Sequence, residues 1–236
     1  MDSPRIVDHE EWIVARTAFL AKEKAFTQQR EALARERRAL PWERVDKPYV
    51  FEGPEGKLAL ADLFAGRGQL IVQHFMFGPD WNEGCPGCSF WSDNFNGIDA
   101  HLAERDTSFV AVSRGPLAKL EAYKKRMGWT FRWVSSAASD FNFDFGVSFK
   151  PTEGAPQDGK AHDYNYGSEK FDGEEKPGVS AFRRGDDGAI YHTYSTYARG
   201  LDVLNSAYHL LDITSKGRDE AGLPWSMAWV KRHDRY

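Results

Sequence analysis

Cysteine is scarce in this chain: its 236 residues include two, Cys85 and Cys88, which form a single C-x-x-C pair. Two cysteines cannot supply the several disulfides that hold small secreted domains together. A structural zinc site usually combines such a pair with a second C-x-x-C or an H-x-H, and the sequence has no third cysteine. Structural zinc is therefore disfavoured, which leaves a redox dithiol or an unreactive structural pair as the main interpretations.

Long apolar segments are also missing. No stretch reaches the ~18 apolar residues of a membrane span, and the N-terminus lacks the charged-then-apolar pattern of a secretion signal. We therefore expect no membrane span, no secretion and a cytoplasmic location, where a disulfide would be transient. The net charge is −4 and the basic residues are scattered, so we expect no nucleic-acid partner.

The cysteines follow an apolar run, QLIVQHFMF at residues 69–77, that is typical of a buried strand. A helix that begins near Cys85 would place Cys88, Trp91, Phe95, Ile98 and Leu102 on one buried face. Cys85 would then lie at the exposed start of the helix, where free backbone N–H groups and the helix dipole favour a thiolate. The pattern predicts Cys85 as the attacking thiol and Cys88 as the resolving thiol.

A long charged helix is predicted from about His9 to Leu40. An alanine followed by a large apolar residue recurs every seven positions, at 18–19, 25–26, 32–33 and 39–40. Such a narrow stripe suits a helix that lies along a surface, either of its own domain or of a second subunit. Docking on its own domain and homodimerisation fit the pattern equally well.

Strands and helices alternate after this helix, and 41% hydrophobic content with eight tryptophans is enough for a full core. We predict strands at 49–51, 69–77, 107–113 and 130–135, helices at 58–64 and 116–127, a hairpin of 179–184 with 189–194, and a closing helix at 201–211. The fold class is α/β with a mixed central sheet flanked by helices. The predicted divisions are an extension at 1–45, a domain at 46–215 with an insertion at 150–177, and a tail at 216–236.

This order resembles the thioredoxin fold from about residue 49 to residue 212. The whole chain resembles a bacterial family of thioredoxin-like proteins of uncharacterised function, through segments such as CPGCSFW, RMGWTFRWVSS, FNFDFGVSF, HTYSTYARGLD and MAWVKRHD. The resemblance implies a fold but no specific reaction. Thioredoxins read Cys-Gly-Pro-Cys, whereas this chain has Pro86-Gly87 between its cysteines. Peroxiredoxins carry threonine and proline where this chain has Asn82 and Gly78, so we do not infer peroxidase activity.

Two further regions are candidates for substrate binding. HTYSTYARG places Tyr194, Tyr197 and Arg199 after a strand that should end at the cysteine edge of the sheet, although these aromatics could equally belong to the core. We assign them and Trp81, which precedes the cysteines, to substrate contacts. The insertion at 150–177 is long enough to be a lid or a surface excursion.

The leading hypothesis is a thiol-disulfide oxidoreductase that acts on a small-molecule or protein disulfide and is recharged by a cellular reductant. No organic cofactor and no metal are expected. One alternative is a ligand-binding protein in which the cysteine pair only holds the start of the helix in place. Another is a metal carrier that adds His74 or His192 to the two thiolates; His74, amid apolar residues, fits a core histidine better than a ligand.

Overall fold

The computed structural model describes residues 4–150 and 162–236. It divides into two compact units, residues 1–41 and 42–236. The first consists of α1 (His9–Arg38), which is close to the predicted helix. Asp8 caps it, because its carboxylate accepts the backbone N–H of Glu11 at 2.8 Å. None of the residues of α1 is buried.

The second unit is a mixed sheet flanked by helices. Its described helices are α2 (Leu60–Leu63), α3 (Pro86–Phe95), α4 (Asp99–Ala103), α5 (Leu117–Arg126), α6 (Phe141–Asp144) and α7 (Ser206–Asp212), with 3₁₀ turns at Ala198–Leu204 and His233–Arg235. Its described strands are β1 (Glu43–Arg44), β2 (Val50–Gly53), β3 (Gly56–Ala59), β4 (Gln69–His74), β5 (Thr107–Ser113), β6 (Arg132–Ser135), β7 (His162–Tyr164), β8 (Glu169–Phe171), β9 (Gly178–Arg184) and β10 (Ile190–Tyr197).

The strand order shows the thioredoxin-like fold. Eight strands form one sheet in the order β1-β10-β9-β4-β5-β6-β2-β3, and β7 and β8 form a separate hairpin. Strands β4, β5 and β6 are parallel, while β9 runs antiparallel to both β4 and β10. The core therefore joins a parallel β-α-β half to an antiparallel hairpin and a closing helix. The end of β10 lies at the same edge as the end of β4, as the sequence predicted.

Two apolar layers cover the faces of this sheet. Strand β5 contributes to both, with Phe109 and Ala111 in one layer and Val110 and Val112 in the other. This arrangement explains why its sequence is continuously apolar rather than alternating. The first layer includes α3 and both cysteines, so the dithiol lies on that face.

Three predicted helices differ from the structure. The predicted helix at 58–64 is shortened to α2, because residues 56–59 pair with β2 as a strand. Helix α3 ends at Phe95, and Gly97 follows with a positive φ of 86°, so Ile98 becomes the N-cap residue of α4 and Leu102 lies within α4. The closing helix is a 3₁₀ turn followed by α7, which Asn205 caps by accepting the N–H of Tyr208 at 3.2 Å. No helix among the described residues has the length and hydropathy to cross a bilayer.

Candidate functional site

The dithiol lies where β4 leads into α3. Cys85 is the N-cap residue and is half-buried, and Cys88 in the first turn is 4% exposed. The segment after β4 holds both: Cys85 N–H donates to the Met76 carbonyl at 3.1 Å, and Met76 N–H donates to the Cys88 sulfur at 3.3 Å. Cys88 is therefore buried, as helix periodicity predicted, whereas Cys85 is half-buried and not fully exposed.

The two thiols have opposite electrostatic environments. A hydrogen bond from Cys88 lowers the pKa of Cys85 to about 7, with further help from the backbone N–H groups of Cys88 and Gly87 and the charge of Arg232. Burial raises the pKa of Cys88 well above its ordinary value, and the neighbouring Cys85 raises it further. At neutral pH the thiolate therefore resides on Cys85.

Arg232 of the C-terminal segment also contacts this site, and it was not among the site residues predicted from the sequence. Its guanidinium donates to the Gly84 carbonyl at 2.7 and 3.1 Å and to the Tyr123 hydroxyl at 3.0 Å. Ser89 donates to the Cys85 carbonyl at 2.8 Å, so the Tyr123 hydroxyl donates to Ser89 at 2.9 Å. A continuous hydrogen-bonded chain thus joins Arg232 to the backbone of the N-cap cysteine.

A cavity of about 550 Å³ opens beside the dithiol. Its lining comes from α3, the start of β9, the 3₁₀ turn, the insertion and the C-terminal segment, and includes Cys85, Cys88, Trp91, Phe95, Val179, Leu201, Tyr208, Trp225 and Met227. The C-terminal segment packs closely on the helix start, since a Cβ added to Gly87 would lie 3.1 Å from the Met227 methyl carbon. This volume lies within the range of small-molecule sites in proteins.

Several charged groups in the cavity wall have ion-pair or hydrogen-bond partners. Arg218 forms ion pairs with Asp202 at 2.9 Å and Asp212 at 2.8 Å, and its guanidinium lies 3.9 Å from the centre of the Tyr208 ring. Glu220 accepts the indole N–H of Trp229 at 2.8 Å. The space next to the thiols is consequently bounded mainly by apolar and aromatic groups.

Among the four predicted substrate contacts, only Arg199 lines this cavity, and it pairs with Asp202 at 2.9 Å. Tyr197 is buried, donates to the Phe145 carbonyl at 2.9 Å and lines a separate polar cavity of about 370 Å³. Trp81 packs against the apolar layer of α3, and Tyr194 lies on β10 with partial exposure. The geometry thus brings Arg199, but not the other three residues, to the dithiol cavity.

The insertion contributes to the cavity through its second half. Residues 151–161, including Lys160, lie outside the described residues, so the predicted lid is described from residue 162 onward. There β7 and β8 form a hairpin, and Glu169, Lys176 and Pro177 line the cavity. Tyr164 holds the hairpin in place: it is 2% exposed, donates to the Pro177 carbonyl and accepts the Ala198 N–H.

The two histidines considered as metal ligands are linked to each other through serines, and His74 also lines the dithiol cavity. His74 is buried against Phe141, and burial lowers its pKa to about 3, so it is neutral. Its Nε2 lies 2.8 Å from the Ser180 hydroxyl, and Ser180 and Ser195 link it to Nε2 of His192 through contacts of 2.7 Å. Within residues 4–150 and 162–236, no three His, Cys, Asp or Glu side chains are grouped to hold a metal.

Solved structures similar to this chain include peroxiredoxins at low identity. Peroxidoxin BcpB from Mycobacterium tuberculosis is 15% identical with a TM-score of 0.48, and the match covers 74% of this chain and 97% of that one. A cysteine-to-serine mutant of PrxQ from Xylella fastidiosa is 14% identical with a TM-score of 0.44, over 72% and 95% of the two chains. A hypothetical protein from Sinorhizobium meliloti 1021 is 14% identical with a TM-score of 0.40, over 65% and 70%.

No curated protein matches the chain. A family model does, along the full length from residue 1 to residue 236, and it is described as "Bacterial protein of unknown function (DUF899)". The match confirms the family that the sequence motifs suggested. The chain belongs to this bacterial family of unknown function.

Proposed function

We propose that the protein is a thiol-disulfide oxidoreductase in which Cys85 attacks and Cys88 resolves. The observation that carries this proposal is the asymmetry of the pair: a half-buried Cys85 with a pKa of about 7 borders a cavity, and a buried Cys88 lies one helical turn behind it. A cysteine pair that only held the start of the helix in place would need neither the lowered pKa of Cys85 nor the cavity.

In the first step the Cys85 thiolate attacks one sulfur of a disulfide substrate, R–S–S–R′. An S–S bond forms between Cys85 and the R sulfur, the substrate S–S bond breaks, and R′–S⁻ leaves and takes a proton from solvent. The backbone N–H groups that stabilise the thiolate in the free protein also fix the sulfur at the cavity wall.

In the second step Cys88 loses its proton and attacks the Cys85 sulfur, which expels R–S⁻. Burial, and then the hydrogen bond and negative charge of Cys85, raise the pKa of Cys88 in the free protein. The charge of Cys85 disappears once it is in the mixed disulfide, so the pKa of Cys88 falls at that stage, and the Met76 N–H at 3.3 Å remains to stabilise the thiolate. Two electrons have then passed to the substrate, and a cellular thiol reductant restores the dithiol.

The cavity favours a small substrate with an apolar body. Trp225 and Met227 of the C-terminal segment stand over the helix start, and the nearby Arg218 and Asp202 are already paired with each other. Arg199 also pairs with Asp202, but we assign it to the polar end of the substrate because its side chain is 74% exposed at the cavity rim, whereas that of Arg218 is 17% exposed. A protein disulfide would have to displace the C-terminal segment to reach Cys85.

Substrate preference tests the proposal. Reduced protein is mixed with bis(2-hydroxyethyl) disulfide, with insulin and with tert-butyl hydroperoxide, and loss of its two thiols is followed. We expect rapid oxidation by the small disulfide and slow oxidation by insulin, with Cys85→Ser inactive toward both. Faster oxidation by the hydroperoxide would instead identify a peroxidase, and equal rates with insulin would remove the cavity from substrate selection.

A ligand-binding role is the second candidate, favoured by the size of the cavity relative to the two sulfur atoms. The reduction potential separates the two. Dithiols that carry out exchange have midpoints between about −120 and −270 mV, whereas a structural disulfide lies below about −300 mV. A redox titration of thiol accessibility measures that midpoint.

A further inference from the structure

Helix α1 carries a row of large apolar side chains that repeats every seven residues. Trp12, Phe19, Phe26 and Leu33 form this row on the helix, and all are at least half exposed, Phe26 at 64%. A seven-residue repeat keeps one side of a helix facing a partner along its whole length. The row therefore runs from residue 12 to residue 33 of a helix that is 30 residues long.

A second row, of alanines, runs beside the first. Ala18, Ala25, Ala32 and Ala39 each precede a large residue by one position, which is about 100° around the helix. Three polar residues lie between the two rows, because each is three or four positions away from members of both rows: Lys22, Gln29 and Glu36. The surface is thus asymmetric: bulky on one edge, small on the other, and polar along its midline.

We propose that the partner of this surface is α1 of a second copy, packed antiparallel with Gln29 at the two-fold axis. A two-fold axis between antiparallel helices brings the same edge of both helices together, so the bulky rows meet on one side of the pair and the alanine rows meet on the other. With Gln29 on the axis, Phe26 lies opposite the partner's Leu33, and Ala25 lies opposite the partner's Ala32. The large apolar side chains cover one another on the first side, and the alanines let the two helices approach closely on the second.

Charge selects the antiparallel orientation. In this register Lys22 faces the partner's Glu36 along the midline, and the two-fold axis repeats the pair. A parallel pair in register would place each Lys22 on the partner's Lys22 and each Glu36 on the partner's Glu36. Like charges would then meet along the midline, which disfavours that arrangement.

Cysteine cross-linking tests orientation and register. Lys22→Cys and Glu36→Cys are made separately in a Cys85→Ser/Cys88→Ser background, and each protein is oxidised alone and as an equimolar mixture. The proposal expects covalent dimers only in the mixture, joined through positions 22 and 36. Dimers formed by each variant alone would show a parallel pair, and no dimer in any sample would show that α1 does not self-associate; either result overturns the proposal.

The mass of the unmodified protein provides a second test by analytical ultracentrifugation. We expect a dimer that Phe26→Asp converts to a monomer, while Thr27→Asp remains dimeric because position 27 lies away from both rows. The two substitutions introduce the same residue at adjacent positions, and circular dichroism checks that each variant stays folded. A monomeric wild-type protein, or equal masses for the two variants, would overturn the proposal. This outcome is independent of the proposed redox function of the dithiol.

Discussion

Replacing Cys88 by alanine should change the reactivity of Cys85 in a pH-dependent way. The hydrogen bond from Cys88 is the largest cause of the low pKa of Cys85, which is about 7. The alanine variant lacks that donor, so the pKa of Cys85 should rise toward the ~8.5 of a free thiol. Cys88→Ser is the matched control, because it removes the second thiol but keeps a hydroxyl donor.

The size of the effect follows from two opposing factors. At pH 7 about half of Cys85 is thiolate when the pKa is about 7, and ~3% when it is ~8.5, a loss of ~15-fold. A more basic thiolate is also more nucleophilic, by roughly 5-fold over this range for a Brønsted coefficient of ~0.45. Attack on a small disulfide should therefore slow by ~3-fold at pH 7 in Cys88→Ala, and exceed the wild-type rate by ~5-fold near pH 9.5.

The assay is the rate of the first attack on a small aromatic disulfide, measured from pH 5 to 10 for the wild type, Cys88→Ala and Cys88→Ser. The wild-type rate should rise through pH 7 and level off above it, since only the thiolate attacks. The crossing of the wild-type and alanine profiles is the diagnostic result. A midpoint that stays near 7 in Cys88→Ala would refute the reasoning and assign control of the pKa to the helix terminus and Arg232.

Three other changes have defined outcomes. Arg232→Met should raise the pKa of Cys85 by less than Cys88→Ala does, because the charge of Arg232 is the smallest of the named causes. Arg232 and Arg235 both form ion pairs with Glu83, so Arg235→Met is the matched control, and it should leave the pKa of Cys85 unchanged in the same rate profile. Gly84→Ala should lower the free energy of unfolding by ~1–3 kcal/mol in urea denaturation, because its Cβ would lie 2.6 Å from the ring of the buried Phe75. Burial raises the pKa of Glu175 to about 7, so the native state keeps a proton that the unfolded chain loses near pH ~4.3. The free energy of unfolding should therefore fall as the pH rises between these two pKa values. Glu175→Gln should abolish this pH dependence in denaturation curves.

The sequence predicted the parts of the fold that depend on local pattern. Strand β5 matches residues 107–113 because a continuous apolar run suits a strand buried on both faces. The inward position of Cys88 followed from helical periodicity alone. Both features depend on residues close together in the chain.

Features that depend on distant residues were not predictable in this way. Arg232 contacts the Gly84 carbonyl across 148 positions, and nothing in its local sequence identifies it as a neighbour of the dithiol. The cover over the cavity was expected from the insertion, but Trp225 and Met227 of the C-terminal segment also form it. Tyr197 illustrates the reverse case: its motif indicated substrate binding, whereas burial and a bond to Phe145 direct it elsewhere.

Trapping the mixed disulfide tests the central claim most directly. Reduced Cys88→Ser protein is treated with bis(2-hydroxyethyl) disulfide, and the intact mass and peptide masses are measured. The account predicts one adduct per chain, on Cys85, while the wild type under the same conditions loses two hydrogens and carries no adduct. An unmodified Cys85 in the Cys88→Ser protein, or a wild type that accumulates the adduct without closing the Cys85–Cys88 bond, would contradict it.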